Sequence, residues 1–173
     1  CFAGSIIYLS KKVNGRLVMR IIVLSDSHGD VFSLSCALEA QATAEAVVFL
    51  GDGEWDLEGV TSLLKEKMLI AVRGNCDLAS LLPYNETVEL AGKRIYCSHG
   101  HWENVKFGTY GIREAARAKG ADIALYGHTH KARIDYEDGL YLFNPGSVRE
   151  GSYGVVDITK AGIVCVEMKI KYK

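Results

Sequence analysis

Residues 19–28 read MRIIVLSDSH, and this stretch decides the fold of the chain. The apolar run at 21–24 is rich in β-branched residues, which is typical of a buried strand. The polar residues Asp26, Ser27 and His28 follow that run directly. In an α/β sheet, ligands bind beyond the carboxyl ends of the strands, so a strand that ends in such groups indicates a functional edge.

The first half of the chain continues this alternation of strands and helices. Strand-like runs lie at 21–24, 47–50 and 69–72, and helical spacings of apolar residues lie at 31–38 and 57–64. Asp30 and Asp56 stand where helix N-caps are expected, because a carboxylate there accepts hydrogen bonds from the free amides of the first turn. The resulting βαβαβ order favours a parallel sheet in this half.

The second half is dominated by three predicted β-hairpins. They turn at Ala91-Gly92, Asp138-Gly139 and Lys160-Ala161-Gly162. Between the first two hairpins, Ile112, Ala115 and Ala116 share one face of a predicted helix that ends at Gly120, and a strand follows at 122–126. The two halves together predict an α/β protein, a four-layer αββα sandwich of two mixed β-sheets flanked by helices.

The length and composition predict one globular domain without a basic binding surface. The chain has 173 residues, of which 49% are hydrophobic and 24% charged, and its formal net charge is −1. Because there is no basic excess, no nucleic-acid groove or anionic membrane surface is expected as a partner. Five cysteines without a CxxC pair predict neither a disulfide framework nor a thiolate zinc site, which favours a cytoplasmic location.

Residues 1–18 precede the first strand that carries a motif. We interpret them as an N-terminal extension or a segment foreign to the domain, and we place the domain at 19–173. In the opening CFAGSIIYLSKK the lysines follow the apolar run, which is the reverse of the charge order in a secretion signal. No apolar stretch approaches the roughly 18 residues of a membrane span.

Five short polar clusters each follow a strand-like run, and together they predict a metal site. All 5 histidines of the chain lie within them. Alternate residues of an extended segment point to the same side, so both members of Asp-x-His or His-x-His reach one centre. Carboxylate, imidazole and amide groups suit Mn²⁺, Fe²⁺, Zn²⁺ or Ni²⁺. The clusters are Asp26-Ser27-His28, Gly51-Asp52, Gly74-Asn75, Ser98-His99-Gly100-His101 and Gly127-His128-Thr129-His130.

These motifs, with Asn144-Pro145-Gly146-Ser147 after them, resemble in order and spacing those of the calcineurin-like metallophosphoesterases. The most similar group is the small single-domain bacterial and archaeal phosphodiesterases. The resemblance implies two divalent metal ions, most simply manganese, with nickel, iron or zinc as alternatives. The implied ligands are Asp26, His28 and His130 for the first ion, Asn75, His99 and His128 for the second, and Asp52 as the bridge. The implied catalytic residues are Asp52, Asn75 and His99.

The resemblance also implies an activity, the hydrolysis of phosphodiester bonds in small substrates. A hydroxide that bridges two ions about 3.5 to 4 Å apart would be the nucleophile. Three alternatives stay open: a phosphomonoesterase, a non-catalytic interaction scaffold of the same fold like the retromer subunit, and a nuclease. The last would need a basic groove and additional domains. A homodimer or homotetramer is expected from the resemblance alone.

Three residues beside the motifs are candidates for substrate contact: Arg73, Cys76 and His101. Arg73 could hold a phosphate oxygen. His101 follows a predicted ligand by two positions, so it could contact the substrate or its leaving group, or instead hydrogen-bond to a ligand. Cys76 stands after Asn75, where many larger superfamily members carry a histidine that protonates the leaving group. The positions of Trp55 and Trp102, close behind motif residues, favour packing in the core or at the rim of the site.

Overall fold

The computed structural model describes residues 12, 13 and 16–172 of the chain, with side chains from Met19 onward. Most of the predicted extension at 1–18, including Cys1, therefore lies outside the described residues. The helices are α1 (Val31–Ala40), α2 (Thr61–Leu64) and α3 (Tyr110–Ala118). Within the described part of the chain, no helix is long and apolar enough to cross a membrane.

The described residues form strands β1 to β11, which belong to two mixed sheets. In the first sheet the order is β11-β10-β2-β3-β4, with β1 paired to β2; in the second it is β5-β6-β7-β9-β8. The strands are β1 (Lys12–Val13), β2 (Arg16–Leu24), β3 (Ala46–Phe49), β4 (Met68–Ala71), β5 (Asn85–Leu90), β6 (Lys93–Ser98), β7 (Ile123–Tyr126), β8 (Arg133–Glu137), β9 (Leu140–Asn144), β10 (Ser152–Thr159) and β11 (Gly162–Lys169).

The pairing of the strands confirms the predicted mixture of parallel and antiparallel segments. Strands β2, β3 and β4 are parallel neighbours, and so are β6, β7 and β9. The three predicted hairpins are confirmed as the antiparallel pairs β5–β6, β8–β9 and β10–β11. β2 begins earlier than the apolar run indicated, because its first residues pair with β1 and β10.

Three hydrophobic clusters show the predicted four layers. The largest cluster lies between the sheets, where residues such as Val23 of β2 and Leu125 of β7 are fully buried. A second cluster joins Leu34 and Leu38 of α1 to the outer face of the first sheet. A third joins Ile112 of α3 to the outer face of the second sheet. The αββα sandwich is therefore confirmed, with both parallel segments buried on two faces.

The second predicted helix is only partly correct. Residues Glu54–Val60 form a 3₁₀ helix, and α2 adds a single α-helical turn. The prediction of Asp56 as an N-cap was wrong, because the 3₁₀ helix begins before it and its carboxylate is used elsewhere. That carboxylate accepts hydrogen bonds from Ser27 Oγ at 2.6 Å and from the amide of Gly29 at 2.9 Å. Asp30 is confirmed as the cap of α1 and accepts from the amide of Ser33.

Candidate metal centre

The carboxyl ends of five parallel strands meet at one edge of the sandwich. Asp26 follows β2, Asp52 follows β3 and Asn75 follows β4, all in the first sheet. His99 and His128 follow β6 and β7 of the second sheet. Because both sheets present their carboxyl ends at the same edge, the polar clusters predicted from the sequence lie together in space.

A first group of ligand atoms comprises Asp26, His28 and His130. The Nε2 atoms of His28 and His130 are 3.3 Å apart, and His130 Nε2 lies 3.3 Å from Asp26 Oδ1. His130 Nδ1 lies 2.9 Å from the carboxylate of Glu150, to which it donates a hydrogen bond. This bond leaves the lone pair of His130 Nε2 directed toward the group.

A second group comprises Asp52, His99 and His128, with Asn75 beside them. His99 Nε2 lies 3.2 Å from His128 Nδ1, 3.1 Å from Asn75 Oδ1 and 3.4 Å from Asp52 Oδ2. His99 Nδ1 donates to the carbonyl of Leu50 at 2.7 Å, so its Nε2 carries a lone pair. When His99 is neutral, its Nε2 and the oxygens of Asn75 and Asp52 are acceptor atoms that face one another, with His128 Nδ1 beside them.

Asp52 lies between the two groups. Its Oδ2 is 3.4 Å from His99 Nε2 in the second group and 3.8 Å from His28 Nε2 in the first. Its Oδ1 accepts a hydrogen bond of 2.7 Å from the amide of Cys76, which fixes the carboxylate in this orientation. One carboxylate oxygen thus faces ligands of both groups, as a bridging ligand would require.

The backbone at this edge adopts conformations that are unfavourable for side-chain-bearing residues. Asp26, His28, Asp52, His128 and His130 have φ angles between 45° and 67°, in the left-handed region. Five of the seven implied ligands share this feature. Strained backbone of this kind persists only where the surroundings enforce it, and it concentrates at functional sites.

Asp77 is a buried residue that holds two ligand loops together, and the sequence analysis gave it no role. Its carboxylate accepts hydrogen bonds from the amides of Asp52 at 2.8 Å and Gly74 at 2.7 Å. It also accepts from the amides of Gly53 and Glu54. The position of Asp77 at the end of Gly-Asn-Cys-Asp was the one signal that could have indicated it.

Glycines at the strand ends allow the loops to approach one another. A Cβ atom at Gly74 would overlap the Asp52 carboxylate, and one at Gly127 would overlap Ser25 Oγ. Gly127 precedes His128, whose amide donates to Asp26 Oδ2 at 3.1 Å. The contact between neighbouring loops of the first sheet therefore depends on the absence of a side chain at Gly74, and the contact between loops of the two sheets depends on its absence at Gly127.

Charge and burial shift several pKa values at the centre. Burial raises the pKa of Asp26. Burial also raises the pKa of Asp52. The hydrogen bonds that Asp52 accepts and the charge of His99 outweigh this effect, so the pKa of Asp52 is lowered. Burial lowers the pKa of His128 to about 4, with His99 contributing, so its imidazole is neutral near pH 7. For His99, burial is outweighed by Asp52 and Asp26, and the pKa is raised.

The donor set fits divalent cations. Asp26 is 0% exposed, and its Oδ1 atom has no hydrogen-bond partner among the described residues although it points at His130. An unpaired buried carboxylate oxygen is costly, and a cation would satisfy it. The converging imidazole nitrogens and carboxylate and amide oxygens are ligands for borderline divalent ions such as Mn²⁺ or Zn²⁺.

The three candidates for substrate contact occupy different places. Arg73 donates to the carbonyls of Asp77 at 3.1 Å and Ser80 at 3.2 Å, so much of its guanidinium is bound within the chain. Cys76 Sγ lies within 4.8 Å of ligand atoms of His28 and Asp52.

The third candidate, His101, lies beside the second group. Its ring centroid is 5.5 Å from that of His99 and 6.0 Å from that of His128. Its buried Nδ1 has no hydrogen-bond partner among the described residues. Substrate contacts by Arg73, Cys76 and His101 stay predictions.

Comparison with known proteins decides the family. The family model of the calcineurin-like phosphoesterase superfamily domain matches residues 19–165. The chain belongs to the calcineurin-like phosphoesterase superfamily. The chain is 32% identical over 169 residues to the phosphodiesterase YfcE of Escherichia coli, covering 81% of this chain and 88% of that protein. It is 30% identical over 132 residues to the probable metallophosphoesterase YsnB of Bacillus subtilis, covering 76% of each chain.

Solved structures show the same calcineurin-like phosphoesterase fold. A predicted phosphoesterase of Streptococcus pneumoniae has a TM-score of 0.76 at 28% identity, covering 90% of this chain and 92% of that one. Vacuolar protein sorting 29 of Cryptosporidium parvum has a TM-score of 0.69 at 17% identity, covering 88% and 98%. The second likeness shows the fold alone.

Glu150→Ala is expected to weaken binding of one Mn²⁺ ion about tenfold, since a carboxylate that orients a ligand histidine contributes 10- to 100-fold to metal affinity. The lower end applies because Glu150 is exposed. Glu150→Gln retains an acceptor for His130 Nδ1 and should lose less affinity. Titration calorimetry measures both variants. Glu114→Ala on α3 is the control, and equal Mn²⁺ affinity in all four proteins would contradict the role of Glu150.

Proposed function

We propose that this protein is a metal-dependent phosphodiesterase that hydrolyses small phosphodiester substrates. The observation that carries the proposal is the pair of ligand groups that share Asp52 Oδ2. The membership of the chain in a phosphoesterase superfamily, and its likeness to a protein named as a phosphodiesterase, support the reaction class.

Asp26, His28 and His130 would hold one divalent ion, Asn75, His99 and His128 the other, and Asp52 would be shared. When bound, such a pair supplies positive charge to the phosphate oxygens and an activated water as nucleophile. Manganese is our proposal for the metal, with nickel, iron and zinc as alternatives for the same donors.

The residues of the chain orient these donors and leave room for a substrate. The Leu50 carbonyl and the Glu150 carboxylate each receive a ring N–H, which directs the opposite nitrogens of His99 and His130 inward. The Cys76 amide fixes Asp52. His28, His128 and His130 are partly exposed, so the centre opens to solvent on one side.

Metal analysis combined with a substrate panel tests the proposal. Protein stripped of metal should be inactive, and Mn²⁺ should restore hydrolysis of aryl phosphodiesters at a stoichiometry of two ions. Phosphate monoesters and cyclic nucleotides complete the panel. Faster turnover of monoesters than of diesters would instead support a phosphomonoesterase. Tight Mn²⁺ binding without turnover of any ester would support the non-catalytic scaffold.

Cys76→His is expected to flatten the dependence of the rate on leaving-group pKa. Burial, with the neighbouring Asp52, raises the pKa of Cys76 to about 11, so the thiol is a poor acid at neutral pH. Imidazolium is a better acid there, and alkyl esters need protonation of the departing oxygen more than aryl esters do. The native enzyme should therefore hydrolyse p-nitrophenyl diesters well and alkyl esters weakly.

Rates over a series of esters with different leaving groups give the slope. Cys76→Ser is the matched control, because it retains a small polar side chain without an imidazole and should retain the steep slope. An unchanged slope in Cys76→His, with its metal content intact, would show that Cys76 does not mark a missing acid.

A further inference from the structure

Three side chains form a continuous aromatic surface that begins at the metal centre. We call His101, Trp102 and Tyr84 the aromatic rim. The ring of His101 lies 6.0 Å from that of His128, and Trp102 lies 5.4 Å from His101. Tyr84 lies 5.5 Å from Trp102 with the two rings perpendicular. Tyr84 also lies 6.5 Å from His101, so the three rings form one compact cluster beside the second group of ligands.

The outer rings of the rim are exposed to solvent. Trp102 is 65% exposed and Tyr84 is 47% exposed, although both are large aromatic residues. The sequence analysis favoured packing for Trp102, and the structure shows a rim position with most of the indole uncovered. Exposed aromatic surface that continues into a candidate site is typical of a ligand-binding face.

Tyr84 is held in place by a cation–π contact with Arg73. The Arg73 guanidinium carbon lies 4.9 Å from the centroid of the Tyr84 ring, and the guanidinium is itself fixed by loop carbonyls. This cation–π contact orients the phenol ring in advance, so little conformational entropy is lost when a ligand packs on the rim. It also places a positive charge beside the ring, which disfavours a cationic ligand such as a choline group.

We propose that the aromatic rim binds the base of a nucleoside phosphodiester while its phosphate lies at the metal centre. The proposal rests on the proposed function and names the substrate class for it. Every nucleobase has a neutral planar face, and stacking on an aromatic side chain stabilises it without sequence-specific hydrogen bonds. The rim is a compact cluster of three rings in a chain with no basic excess, so it fits a mononucleotide-sized ligand.

Competitive inhibition compares ligands that differ only in the base. With Mn²⁺ enzyme and a small aryl diester as substrate, the inhibition constant of adenosine 5′-monophosphate should be lower than that of ribose 5-phosphate by about fivefold or more. Trp102→Leu and Tyr84→Leu should each reduce this ratio toward one. Tyr136→Leu removes a similarly exposed aromatic ring from β8 and should retain the ratio. Phosphocholine should inhibit no better than ribose 5-phosphate.

Fluorescence gives a readout that does not depend on turnover. The chain has 2 tryptophans, so Trp55→Phe leaves Trp102 as the single fluorophore. With Zn²⁺ present, adenosine 5′-monophosphate should quench Trp102 saturably, and ribose 5-phosphate should not.

The possible outcomes separate the two proposals. Equal inhibition by the two phosphates, absence of specific quenching, or preferential inhibition by phosphocholine would overturn the assignment of the rim. Absence of Mn²⁺-dependent hydrolysis would overturn the proposed function, and in that case the fluorescence titration still decides whether the rim binds a base.

Discussion

Asp52→Asn is expected to reduce phosphodiester hydrolysis to near background and to weaken both metal sites together. One Asp52 oxygen faces His28 of the first ligand group and His99 of the second. The substitution removes a negative charge that both ions would share, and an amide oxygen is a much weaker ligand for two cations. Loss of affinity at both sites distinguishes Asp52 from the other ligands, each of which belongs to one group.

The variant should still fold. The asparagine oxygen can accept the hydrogen bond that the Cys76 amide now donates to Asp52 Oδ1. Metal content by mass spectrometry, Mn²⁺ affinity by calorimetry and rate with an aryl diester measure the effects. Asp30→Asn is the matched control, because asparagine caps a helix as well as aspartate does. A variant that retained most of its rate and both ions would show that Asp52 does not bridge.

Added Mn²⁺ is expected to raise the Tm strongly at about pH 7.5 and only weakly at about pH 5, because histidine ligands bind metal only when neutral. In the metal-free protein, Asp52 and Asp26 raise the pKa of His99, so this group gains a proton early as the pH falls. The metal must then displace that proton. His128, with a pKa of about 4, stays neutral over this range.

The direction of the pH effect follows from the pKa values of His99 and His128. Stabilisation by the metal is complete above the raised pKa of His99 and is lost as the pH falls through it. One site at a metal concentration about 1,000 times its Kd adds about 4 kcal/mol to the free energy of unfolding. Thermal unfolding followed by circular dichroism, with and without Mn²⁺ at both pH values, measures the shift. An equal shift at the two values would contradict histidine ligation.

Much of the fold could be predicted because its signals are local. Apolar runs that end in polar clusters located β2, β3 and β7, and Gly-containing turns located the three hairpins. The error at 54–64 has a physical cause, since Gly53 with φ 148° starts a 3₁₀ helix early and the Asp56 carboxylate is required by the loop of Ser27. Neither effect changes the spacing of the apolar residues, so the sequence pattern could not indicate it.

At the site, residue types indicated the candidate ligands but could not indicate the residues that hold them in place. Glu150 is far from His130 in sequence and belongs to no motif, yet it receives the His130 Nδ1 hydrogen bond. The left-handed backbone at Asp26 and Asp52 also has no sequence signal, because aspartate adopts that region less readily than glycine. Long-range contacts of this kind become visible only when the strands are placed side by side.

Each ligand group draws on both sheets, and this arrangement links the centre to the order in which the chain assembles. His28 and His130, whose Nε2 atoms are 3.3 Å apart, are separated by 102 residues, and Asp52 and His99 likewise come from opposite sheets. Neither half of the chain carries a complete set of donors for one ion. Closing such distant contacts is entropically costly and slows folding. An ion bound by either ligand group would therefore connect loops of the two sheets, and its binding would require that the sheets have docked.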